Sequence, residues 1–263
     1  MDEKKKIVVL LSIIAWVGLL IIGGSKHESH DSKKHLSDFY SAFNGNEYKL
    51  VMIGRDDCSW CQLFKPNLDF MHDNYGVDYI YVNTNKLTNG VFNKLLDDIG
   101  VDKNSFGTPL TVVVRDGKVV DSINGYVDEK DLFDFLKKYN FISTDAKLPL
   151  NYVDYNGYKS VVKSNDNKIL ILGQTTCSHC IKVKPILGNI ALKYGITINY
   201  LDITKLSDDE RGKFTKYLTY LSENDWGTPL ALIVNNGEVI DSVNGELDYD
   251  GYVDFFRENG FIK

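Results

Sequence analysis

Four cysteines occur in the chain, and they form two pairs of identical spacing, Cys58 with Cys61 and Cys177 with Cys180. A Cys-x-x-Cys pair suits redox chemistry or a soft metal. In disulfide exchange the attacking species is the thiolate. A cysteine at the start of a helix meets unpaired N–H groups and the positive end of the macrodipole, and both favour thiolate over thiol. The second cysteine then lies one turn on, where it closes a small ring or releases a mixed disulfide. Cys58 and Cys177 are thus the candidate nucleophiles, and Cys61 and Cys180 the resolving thiols. Zinc is the competing chemistry. Zinc ribbons space their pairs by ~15–20 residues, whereas these pairs lie 119 residues apart. No metal site and no bound cofactor are expected, because the thiols themselves carry the electrons.

The residues around the pairs differ. Trp60 stands between the first two cysteines, as either a partly exposed aromatic or a substrate-contact surface. His179 stands between the second two, where an imidazolium or an N–H donor would stabilise a thiolate at Cys177. Asp56 and Asp57 precede Cys58, and nearby carboxylates disfavour a thiolate. Thr175 and Thr176 precede Cys177 and are neutral. Stabilising a thiolate stabilises the reduced form, so the second centre is expected to be the more oxidising.

The elements that must position these thiols recur as a unit. Cys58-Ser-Trp-Cys61 with Pro66 matches Cys177-Ser-His-Cys180 with Pro185, and Gly107-Thr-Pro-Leu110 matches Gly227-Thr-Pro-Leu230. Asp121-Ser-Ile-Asn-Gly125 matches Asp241-Ser-Val-Asn-Gly245. The offset is 119 residues at the cysteines and 120 later. Solenoid repeats are only ~20–50 residues long, so a copy of this size is a duplicated domain. In the first copy the pattern predicts a short helix over 36–43, a strand over 48–54, and a helix from Cys58 to about Tyr75. A strand over 77–82 and a helix over 87–100 follow. Strands over 110–114 and 118–123 are joined at Asp116-Gly117, a hairpin signal. A last helix covers 128–139, with Asp128 as N-cap. The second copy reads the same way, with its hairpin at Asn236-Gly237. A βαβ half with parallel strands, followed by an antiparallel hairpin, implies an α/β fold with a mixed sheet and helices on both faces. The expected domains are 36–143 and 155–263, with 144–154 as linker.

Each Thr-Pro dipeptide, Thr108-Pro109 and Thr228-Pro229, precedes an apolar strand at the same separation from its cysteine pair. Together with the duplicated Cys-x-x-Cys motifs, this pattern resembles the thioredoxin superfamily from about residue 36 to 263. The resemblance implies two tandem thioredoxin-like domains. It implies that Pro109 and Pro229 are cis and pack against the cysteines, and that Thr108 and Thr228 offer backbone groups to a substrate strand. The segment from Ile53 to Cys61 further resembles the bacteriocin-transport accessory proteins, a thioredoxin-like group. One departure stands out. Thioredoxins carry a buried Asp six residues before the first cysteine, and here those positions are Met52 and Ile171.

Residues 7–22 are apolar except for Ser12 and Gly18, and Lys4, Lys5 and Lys6 precede them. With Gly23 and Gly24 the run just reaches the ~17–25 residues of a spanning helix. Residues 1–24 are therefore expected to be a membrane anchor, with the N-terminus cytoplasmic, 25–35 a polar tether, and the domains extracytoplasmic. Secretion after signal cleavage is the alternative. The net charge of −6 argues against a nucleic-acid partner. The sequence thus points to a membrane-anchored thiol–disulfide oxidoreductase acting on cysteines of exported proteins, with a redox partner protein. The alternative is a non-catalytic thioredoxin-like module that holds an exported peptide.

Overall fold

The computed structural model describes residues 36–263. The apolar run at 7–22 lies outside them. Among the described residues no helix is long and apolar enough to cross a membrane.

Backbone contacts divide the chain into two compact units, one holding residues 36–64 and 78–126, the other 65–77 and 127–263. The repeat alone suggested a division near residue 144. Residues 65–77 and 127–143 cluster with the second unit because their apolar side chains pack there. A Cβ on Gly188 would come 2.9 Å from the Phe70 ring, and Tyr75 stacks edge-on against Phe133.

The first unit contains a four-stranded sheet in the order β2-β1-β3-β4. β1 (Lys49–Gly54) runs parallel to β2 (Tyr79–Asn83) and antiparallel to β3 (Leu110–Arg115), which pairs with β4 (Lys118–Asn124). β1 is buried from Leu50 to Gly54, as a central strand covered on both faces must be. Val51, Ile53, Val112 and Leu95 share one core, with the helices Ser37–Phe43 and Asn89–Ile99 packed into it. The β3–β4 turn places Asp116 and Gly117 at positive φ, 51° and 71°, the conformation a two-residue hairpin requires.

The second unit contains a five-stranded sheet in the order β5-β7-β6-β8-β9. Its strands are β5 (Leu150–Tyr152), β6 (Lys168–Gly173), β7 (Ile198–Asp202), β8 (Leu230–Asn235) and β9 (Glu238–Asn244). The extra strand β5 comes from residues expected as linker. Its parallel register, Leu150 with Ile198 and Tyr152 with Tyr200, buries Leu150 in the core. Along β6, Ile169 and Ile171 enter one core, and Leu170 and Leu172 the other. The helical segment expected after β7 is broken into Asp208–Arg211, a 3₁₀ turn at Phe214–Tyr217 and Tyr220–Glu223. Gly212 interrupts it, and glycine is a poor helix former.

The two remaining helices that matter are Ser59–Tyr75 and Ser178–Tyr194, each 17 residues long with a proline inside. Each follows the C-terminal end of a central strand, β1 or β6, and so carries its Cys-x-x-Cys pair at the sheet's edge. The helix Glu129–Lys138 starts at Asp128, whose carboxylate accepts from the Asp131 N–H, as expected.

Candidate redox centres

In each unit the first cysteine closes the start of its helix. Cys58 Sγ accepts from the Cys61 N–H at 3.1 Å. Cys177 is the N-cap of its helix, and its Sγ accepts from the Cys180 N–H at 3.2 Å. All four are free cysteines in the structure.

Burial opposes ionisation of Cys58. Hydrogen bonds with the Cys61 thiol, Thr108 and the Cys61 N–H, together with the Arg55 charge, outweigh it and hold the pKa below that of an ordinary thiol. Burial likewise opposes ionisation of Cys177, and is outweighed by hydrogen bonds with the Cys180 side chain, the Cys180 N–H, Thr228 and the His179 N–H. The second cysteines go the other way. Burial and the neighbouring Cys58 raise Cys61, and burial and Cys177 push Cys180 up to about 12. Each centre therefore pairs a first thiol of lowered pKa with a second of raised pKa.

Both Thr-Pro peptide bonds are cis. The Cys58 thiol donates to the Thr108 carbonyl at 3.4 Å, and the Cys177 thiol to the Thr228 carbonyl at 3.2 Å. Beneath the thiols, Met52 and Ile171 are fully buried, so no carboxylate stands at those positions. Gly54 makes room for the first centre. A Cβ there would come 3.3 Å from Cys61 Sγ and 3.0 Å from the Tyr81 ring.

The expected contrast in poise loses its basis. The Asp56 carboxylate accepts from the Asn83 amide and, at 3.3 Å, from the Tyr81 hydroxyl. Asp57 is engaged by Arg55 at 3.4 Å and by Asn85 at 3.1 Å. Neither carboxylate is among the main influences on Cys58, whereas Arg55 is. His179 also departs from expectation. Its ring Nδ1 lies 2.8 Å from Glu246 Oε2, and what it lends to Cys177 is its backbone N–H.

Trp60 is 43 % exposed. It lines an open groove of about 410 Å³ with Arg55, Asp57, Cys58, Phe106 and Thr108. Two further residues escaped the sequence reading, Tyr126 beside Trp60 and Glu246 beside His179. The signal for them was present, since both directly follow the matched Asn-Gly of the repeat.

A mixed α/β sheet that carries a low-pKa thiol at a helix start, a high-pKa thiol one turn on and, against the first thiol, the threonine carbonyl of a cis Thr-Pro bond has the make-up of a thiol–disulfide oxidoreductase. Residues 38–140 match the family model of the thioredoxin-like domain. Over 99 residues the chain is 28% identical to a protein named disulfide bond formation protein from Brevibacillus choshinensis, covering 38% of this chain and 79% of that one. Residues 38–140 are thus similar to a thioredoxin-like domain. Similar solved structures include a thioredoxin from Nicotiana alata, at 21% identity and TM-score 0.33, over 42% of this chain and 88% of that one. Another is a thioredoxin from Aeropyrum pernix, at 17% identity and TM-score 0.34, over 41% of this chain and 85% of that one.

Proposed function

We propose that the chain is a membrane-anchored, extracytoplasmic thiol–disulfide oxidoreductase that exchanges disulfides with cysteines of exported proteins at both centres. The observation that carries the reading is the opposed ionisation of each pair, Cys58 low against Cys61 high and Cys177 low against Cys180 high. A module that only held a peptide would need neither thiol, still less both in each unit. The lysine-flanked apolar run at 7–22 supports an anchor with the domains outside, a compartment in which disulfides persist.

The cycle follows from the geometry. The Cys58 or Cys177 thiolate attacks one sulfur of a substrate disulfide. That S–S bond breaks, a mixed disulfide forms, and the substrate's other sulfur leaves with the electron pair and takes up a proton. Cys61 or Cys180 then loses its proton and attacks the mixed disulfide, closing the protein's own ring and releasing the substrate reduced. Run backwards, the same steps oxidise a dithiol.

The test is insulin reduction and refolding of reduced ribonuclease by the full chain. Activity should vanish when Cys58→Ser and Cys177→Ser are combined. Activity equal to that of the unaltered chain would overturn the reading. Location is tested separately by protease added to intact cells. Digestion of both domains is expected, and protection while a known exported protein is cut would refute it.

A further inference from the structure

The same two positions flank the nucleophile in each unit, and they carry opposite chemistry. At the first centre they are Trp60 and Tyr126, whose rings lie 5.7 Å apart, with Phe64 edge-on to Tyr126 at 6.0 Å. At the second centre they are His179 and Glu246, whose ring Nδ1 and Oε2 lie 2.8 Å apart. The correspondence is positional. Trp60 and His179 are the second residues between their cysteines, and Tyr126 and Glu246 follow Gly125 and Gly245. Both glycines have positive φ, 86° and 102°. Lys182, one turn beyond His179, adds a second contact to Glu246 at 3.8 Å.

Stability does not account for the second arrangement, since exposed ion pairs contribute little to folding. Its outward face is defined by what Glu246 leaves free. Both carboxylate oxygens face nitrogen atoms, and Glu246 is the least exposed of the three, at 39% against 59% for His179 and 55% for Lys182. The half-exposed groups around Glu246 are the His179 ring and the Lys182 ammonium, and the ammonium is a donor. The first centre instead offers Trp60 and, in the groove beside Cys58, Phe106. The residue matching Phe106 is Trp226, whose indole N–H is tied to the Leu221 carbonyl at 3.0 Å and whose rings pack on Phe214.

We propose that the two centres select different substrates: Cys58 takes cysteines flanked by aromatic or apolar residues, and Cys177 takes cysteines flanked by acidic ones. The proposal rests on the oxidoreductase reading. It assigns Trp60, Tyr126, His179, Lys182 and Glu246 to substrate selection. The aromatic rings bury apolar flanks, and the Lys182 ammonium, with the His179 ring nearby, meets a carboxylate.

The test uses prereduced full-length chain with one centre disabled, either Cys58→Ser/Cys61→Ser or Cys177→Ser/Cys180→Ser. The probes are peptides bearing one cysteine as its 2-thiopyridyl mixed disulfide, identical except for flanking Trp-Leu, Asp-Glu or Lys-Arg residues. The thiolate attacks the peptide sulfur and neutral thiopyridone leaves. The resolving cysteine then frees the peptide thiol, which is quantified together with the protein disulfide. Rates are compared as ratios within one preparation, so a fraction of misfolded protein cancels. The first centre should prefer the Trp-Leu peptide over the Asp-Glu peptide about tenfold, a discrimination within reach of one apolar contact. The second centre should reverse the order and disfavour the Lys-Arg peptide. Trp60→His with Tyr126→Glu should move the first centre's ratio toward that of the second. The same ranking at both centres, or a preference of the second for Lys-Arg, would overturn the division while leaving exchange intact. Peptides that remain bound to Cys58 and Cys177 without release would overturn the exchange reading itself.

Discussion

Asp56 accepts a hydrogen bond from the side-chain amide of Asn83. The contact ties the loop before Cys58 to the end of β2. The second unit makes the same tie with the roles exchanged, as the Thr175 hydroxyl donates to Asp202 at the end of β7. One carboxylate per unit serves, on opposite sides of the contact. Asp56 is therefore a structural acceptor. Replacing it with Ala should destabilise the chain by about 1–2 kcal/mol, the scale of a hydrogen bond to a charged group. The Cys58 pKa should move by less than about half a unit, within the spread of a weak charge effect. Thiolate absorbance titration of the Cys177→Ser/Cys180→Ser chain measures the second quantity. A drop of a unit or more would show that the carboxylate does act on the thiol.

Arg55 is the charge that favours the Cys58 thiolate. Arg55→Ala should raise the Cys58 pKa and leave Cys177 unchanged, since Arg55 is not among the groups that act on Cys177. The check is the pH dependence of iodoacetamide alkylation, resolved by peptide mass spectrometry. At neutral pH in the unaltered chain, Cys58 and Cys177 should label first. Cys180, with its pKa pushed up to about 12 by burial and by Cys177, should label far more slowly. Equal labelling of Cys177 and Cys180 would contradict the assignment of nucleophile and resolving thiol.

Glu129 is fully buried in the second unit, with Tyr152 donating to its Oε2 at 2.8 Å. Burial raises its pKa to about 7, against the opposing effects of the Tyr152 hydrogen bond and the Lys184 charge. Lys184 lies under the Tyr200 ring, 4.9 Å from its centroid. A carboxyl whose folded pKa is raised favours folding below its unfolded value, and that contribution is lost as pH rises through the folded value. Stability should therefore fall between about pH 4.5 and pH 7 by up to roughly 3 kcal/mol from this group. Glu129→Gln should remove that part of the slope in urea unfolding of the full chain. A slope unchanged by the substitution would show that Glu129 is ionised in the fold throughout the range.

Gly173 abuts Tyr200. A Cβ on Gly173 would lie 1.9 Å from the Tyr200 hydroxyl oxygen and 2.5 Å from Cζ, and Tyr200 is fully buried. Gly173→Ala should cost about 1–3 kcal/mol, as overpacking of a close-packed core does. Combining it with Tyr200→Phe removes the nearest atom and should restore part of the loss. Thermal unfolding measures both. A single substitution with no effect would mean that the tyrosine has room to move aside.

The local features were legible in the sequence because their causes are local. Cys-x-x-Cys spacing, the Asp128 cap, the Asp116-Gly117 and Asn236-Gly237 turns and the duplicated Thr-Pro each depend on a few neighbouring residues, and the repeat of the whole pattern at a nearly constant offset fixed the α/β class. What only the tertiary structure decided lies in pairs distant along the chain. Asp56 and Asp57 precede Cys58 in sequence, yet their charge is directed to Asn83, Tyr81, Arg55 and Asn85. His179 lies between two cysteines, yet its ring turns to Glu246, 67 residues on. Leu150–Tyr152 reads as linker, yet it becomes a strand because β7 offers a parallel edge and the core accepts Leu150. Side-chain direction and long-range partners set the local field and the available hydrogen bonds, and neither is encoded in the spacing of adjacent residues.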